Sequence, residues 1–111
     1  MAKINFPDIL KQLKAALGNL AQTTLQNYVS DAKTDAQNML DSMTSKLQKW
    51  TGLLANGDLT TEDFEWLVYS QKDLVELAAL KQAGLAEIRI DQFKGSVINL
   101  IIDTTFKILK I

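Results

Sequence analysis

The sequence predicts an all-α protein: a long N-terminal helix followed by an antiparallel helical hairpin, packed as a helical bundle and completed by self-association. Three observations carry that prediction. The 111 residues include one proline and five glycines, too few for a loop-rich all-β chain. The composition, 47% hydrophobic and 23% charged, is that of a globular protein rather than a disordered one. Apolar residues recur at helical spacing along most of the chain, and sustained period-two alternation is absent. The length fits a single helical domain over residues 1–111.

The first helix is predicted over about 7–54. Pro7 suits a first helical turn, where its missing N–H is not needed. From Leu10, steps of four, three and four reach Lys14, Leu17, Ala21, Leu25, Tyr28, Ala32, Ala36, Met39, Met43, Leu47, Trp50 and Leu54, and twelve of these thirteen positions are apolar. This eleven-residue (hendecad) repeat stays close to the natural pitch of a helix, so the stripe keeps one face, in the manner of a coiled coil with little supercoil. A continuous helix of about 45 residues would be ~68 Å long. The competing architecture breaks this helix near 27–31, where Ser30-Asp31 could cap the second piece. Four segments of similar length then form a four-helix bundle. Gly18-Asn19 is a lesser kink candidate.

A turn is predicted at 55–60, on the Asn56-Gly57 dipeptide. Thr60 is the expected N-cap of the next helix, with Asp63 three residues on, and Leu59 and Phe64 as a hydrophobic staple. Glu62, Asp63 and Glu65 put negative charge where the helix dipole favours it. The second helix is predicted over about 61–83, with Phe64, Leu67, Val68, Leu74, Val75, Leu77, Ala78 and Leu80 as its apolar set and Gly84 just past its end. The third is predicted over about 85–109. Its polar stripe is narrow (Arg89, Gln92, Ser96, Asn99, Asp103, Lys110), so it needs neighbours on two or three sides.

Several chemistries find no support. Histidine and cysteine are absent, which removes the commonest general base, the commonest transition-metal ligand and any disulfide. The scattered glycines form no phosphate-cradling loop. Asp31 with Asp35, and Glu87 with Asp91, stand one turn apart, yet solvated surface acids are the expected reading, and a carboxylate di-iron bundle would also need histidines. The turn at 55–58 carries one acid, too few for calcium. No catalytic, cofactor-binding or metal-binding residue is therefore assigned, and no cofactor is expected. A net charge of −1 leaves no footprint for nucleic acid. Asp8, Lys11 and Lys14 interrupt any leader-like run, and the greasiest stretch, 97–111, is too short and too charged to span a bilayer. A cytoplasmic location is the expectation.

The functional reading is a non-enzymatic structural or interaction protein. If the first helix is continuous, a hairpin of ~36 Å arms covers only about half of it. The uncovered apolar stripe then needs a second copy, as a dimer, or another helical protein. The candidate interface is Leu10, Leu17, Leu25, Tyr28, Met39 and Trp50, and Leu25→Glu is expected to dissociate the assembly. Phe64, Phe93 and Phe106 are expected in the core; Trp66 and Tyr69 also fall near helical-face positions. Ala21, Ala32 and Ala36 allow close helix approach, the segment 22–45 is polar, and Arg89 is the only arginine. Two alternatives stand beside this reading. One is a membrane-active protein that inserts its C-terminal helix. The other is a small enzyme or metal-binding bundle using carboxylates.

Overall fold

The computed structural model describes residues 5–111, and helix is the only regular structure among them. Met1–Ile4, the first residues of the stretch in which no leader-like run is expected, lie outside the described residues. Helix α1 spans Phe6–Thr24, α2 Val29–Ala55, α3 Thr61–Ser70, α4 Ala78–Gln82 and α5 Glu87–Leu109. At 27 residues, α2 is the longest and would run ~40 Å, most of the molecule's 47 Å length. Helix α1 folds back along α2, α3 and α4 together return along α2, and α5 packs against all of them.

Many local expectations hold. Pro7 lies in the first turn of α1, where Asn5, not singled out in the sequence, caps the helix by accepting the Asp8 N–H. Thr60 Oγ1 accepts the Asp63 N–H at 3.1 Å, Phe64 is buried and Leu59 packs beside the core. Gly57 and Gly84 have φ of +80° and +92°, values that cost glycine little. Each follows a helix in a Schellman turn: Asp58 N–H donates to the Leu53 carbonyl, and Leu85 N–H to the Leu80 carbonyl. Gly18 sits inside an uninterrupted helix and makes no kink.

The continuous helix over 7–54 is not what forms. The chain breaks at Leu25 (φ −127°, ψ 65°), passes through a 3-10 turn at Gln26–Tyr28, and starts again at Val29. The break belongs to the competing architecture, two residues earlier than expected, but Ser30-Asp31 lies inside α2 and does not cap it, and the segments differ in length. No glycine or proline is responsible. Thr23, Thr24, Asn27, Tyr28 and Val29 are all weak helix formers, and the Thr23 hydroxyl donates back to the Asn19 and Leu20 carbonyls. The gain is tertiary. Folded at this point, the eleven-residue stripe covers itself: Leu17, Ala21, Leu25, Ala32, Ala36, Met39, Met43 and Leu47 all enter one core.

The helix expected over 61–83 is also interrupted. Helix α3 ends at Ser70, a 3-10 turn covers Lys72–Leu74, Val75 is extended (φ −117°, ψ 133°), and α4 is five residues long. A straight helix would put Phe64, Val68, Gln71, Val75 and Ala78 on one face, leaving Leu77 and Leu80 out of phase. The interruption turns Leu77 and Leu80 inward and leaves Leu74, expected in the apolar set, 69% exposed. Helix α5 starts two residues later than expected and buries Phe93, Val97, Ile98, Ile101, Ile102 and Thr105.

Two side chains of α2 hold the interrupted arm. Lys46 Nζ donates to Gln71 Oε1 at 3.0 Å, at the end of α3. The Asp35 carboxylate, 3% exposed, accepts the Ala79 N–H at 3.1 Å and the Leu80 N–H at 2.7 Å. Those are the N–H groups that an N-cap side chain serves, and the residue at that position, Leu77, has no polar atom to serve them. Asp35 is thus not the solvated surface acid expected from its sequence neighbourhood. Along α2 the two anchors are ~16 Å apart, whereas a helix from Gln71 to Leu80 would span ~13 Å. Val75, in extended backbone, lies between them.

Asp35→Ala leaves two N–H groups without their partner in the core. Urea unfolding should show a loss of ~2–3 kcal/mol, and Asp35→Asn, which keeps one acceptor oxygen, should fall between the two. A value for Asp35→Ala within ~0.5 kcal/mol of the parent would remove the cap from this account. Leu25 is 3% exposed, so Leu25→Glu buries a charge and is now expected to unfold the chain rather than dissociate an assembly.

Candidate functional site

The fold redistributes the candidate interface. Leu17, Leu25 and Met39 are buried within the single chain, while Leu10, Tyr28 and Trp50 are half-buried at the core's edge. The premise of an uncovered stripe is gone because α1 and α2 cover each other. Helix α5, which the membrane alternative would insert, already packs its apolar face on the other four helices. No helix of the described residues is long and apolar enough to cross a membrane.

The two acidic pairs meet different surroundings. Asp35 is engaged by α4, and Asp31 is half-buried. Asp91 pairs with Lys72 at 3.3 Å, and with Glu87, Glu76, Lys81 and Lys94 it borders an open cleft of about 270 Å³. Both signs of charge mix there, and the cleft is floored by Leu77 and Ile90. Arg89 borders a smaller polar hollow of about 210 Å³ beside the α1–α2 break, with Thr23, Thr24, Gln26, Asn27 and Tyr28.

The surface that stands out is the outer face of α3. Phe64 and Val68 turn into the core, with Phe64 5.6 Å from Phe106 between ring centres. That fixes the opposite face by helical geometry. On it lies Trp66, 72% exposed, with Glu62 and Asp63 one turn before it and Tyr69 and Ser70 one turn after, all exposed. Tyr69 is 44% exposed and donates its hydroxyl proton to Asn99 Oδ1 on α5, which holds its ring in place at the edge of the face. From Asp58 to Tyr69 the chain carries four acids and no base. The arrangement is two exposed aromatic side chains, one of them tied to α5, among acidic residues. What it offers is contact area, π-faces and attraction for cations.

Grouping Trp66 with the other helical-face aromatics hid this surface. A signal was available: the neighbours of Trp66 at three and four residues are Glu62, Asp63, Tyr69 and Ser70, a polar setting that turns it outward once Phe64 and Val68 are assigned inward. No family model matches the chain, and no curated protein or solved structure matches it.

If Trp66 serves recognition rather than folding, its loss should leave stability within ~0.5 kcal/mol. Phe64→Ala, two residues away, should cost ~3–5 kcal/mol. Paired chemical denaturation of the two variants measures both. A Trp66→Ala penalty above ~2 kcal/mol would return this side chain to the core.

Proposed function

We propose that this chain is a non-enzymatic helical interaction protein that docks a partner through the outer face of α3. The observation that carries the reading is Trp66, a large apolar side chain held on a helix with almost three-quarters of its surface in water. Leaving it there forgoes the ~25 cal/mol per Å² that burial returns. Tryptophan and tyrosine are also the side chains that dominate interface hot spots, where truncation costs ~2 kcal/mol or more. The ring of Glu62, Asp63 and Glu65 supplies a charged rim, which governs association rate and partner choice more than raw affinity. The rest of the bundle is the scaffold: Phe64 and Val68 anchor α3, and Tyr69 is tied to α5.

Site-specific photo-crosslinking tests this. A photoreactive residue at position 66 should give one discrete adduct in the cells that make the protein. The same residue at position 41, on the exposed face of α2, should give none. Equal labelling from both positions, or no adduct from position 66, would sink the reading. The adduct mass identifies the partner's size, and twice 12.4 kDa marks a second copy.

A further inference from the structure

We infer that the partner of the α3 face is a second copy of this chain, which receives it in the groove between α1 and the last turns of α5. The inference rests on the α3 docking reading and names its partner. The groove has a volume of about 500 Å³ and is lined by Gln12, Ala16, Thr104, Lys107, Ile108 and Lys110. Beside it Ile111 is 59% exposed. None of these lining residues has an acidic side chain. The acids nearest in sequence are Asp8, which accepts the Gln12 amide at 3.1 Å, and Asp103. From Thr104 to Ile111 the chain carries two lysines and no acid.

The two surfaces complement each other in charge and in shape of contact. One projects an indole with a phenol beside it and Glu62, Asp63 and Glu65 around it. The other is a concave strip with Ala16 and Ile108 as apolar floor and two ammonium groups at its edge. Trp66 entering the groove would bury its rings on Ala16 and Ile108. Lys107 and Lys110 could then meet the glutamates or lie over the indole face. A net charge of −1 conceals this separation into an acidic and a basic surface. Because the two patches differ, the contact is heterologous, of the kind that closes into a ring or continues as a chain.

Charge exchange tests the pairing directly. The parent protein's mass, followed by light scattering across a concentration series, should rise above that of one chain. Glu62→Lys with Glu65→Lys should weaken association by roughly a hundredfold, as should Lys107→Glu with Lys110→Glu. All four positions are exposed, and circular dichroism should show both variants as helical as the parent. Mixing the two variants should restore assembly, because each then carries the complement of the other. A parent that stays at the mass of one chain up to millimolar concentration overturns the second-copy inference. A discrete adduct of another mass from position 66 would then leave the α3 docking face standing. Variants that dissociate but fail to reassemble on mixing also overturn it, since the two faces would not be touching each other.

Discussion

The Asp35 carboxylate is the constraint on which the third arm of this bundle depends. Helix α4 begins without a capping residue of its own, and a buried acid on α2 supplies the two acceptors instead. An unpaired N–H in a core costs as much as a lost hydrogen bond or more. The cap therefore decides where α4 starts. With Lys46 holding Gln71 further along α2, the arm is tied to α2 on both sides of its interruption. The exposure of Leu74 and the inward turn of Leu77 and Leu80 follow from that.

Helix α2 is accordingly more than the longest helix. It covers the apolar face of α1 on one side and carries the two polar anchors of the third arm on another. Phe64, Val68, Leu77 and Leu80 of the third arm enter the same core, and α5 adds an apolar surface that meets every other helix. Small residues at Ala21, Ala32 and Ala36, all buried, let the first two helices approach closely where the stripe folds on itself.

The helical class, the turn at 55–60, the Thr60 cap and the two glycine turns were legible in the sequence, because each rests on interactions within a few residues. The break at Leu25 was not. Its local cause, a run of weak helix formers, competes with an unbroken apolar stripe, and the outcome turns on how one stripe packs against itself. The interruption before α4 was further out of reach, since Asp35 and Leu80 are 45 positions apart. An acid at 35 with another at 31 reads as solvated surface, and nothing local announces that its oxygens are used by a distant backbone. The outer face of α3 lay between these cases. Its amphipathic pattern was readable, yet attention to the long stripe drew the candidate interface to Leu17, Leu25 and Met39, which the fold buries.

The dependence of α4 on α2 also bears on the order of events in folding and opening. A helix of five residues is far below the ~12–15 needed for even marginal stability alone. It gains its N-terminal hydrogen bonds only when a segment 45 residues earlier is already helical and in place. Closing so long a loop carries an entropic cost that must be met before the contact contributes anything. The α1–α2 hairpin, built from near neighbours in sequence, can form first, and α4 settles late. In the native ensemble the same asymmetry runs in reverse. On this ground the stretch from Gln71 to Gly84 is expected to open more readily than the hairpin, as amide hydrogen exchange would read.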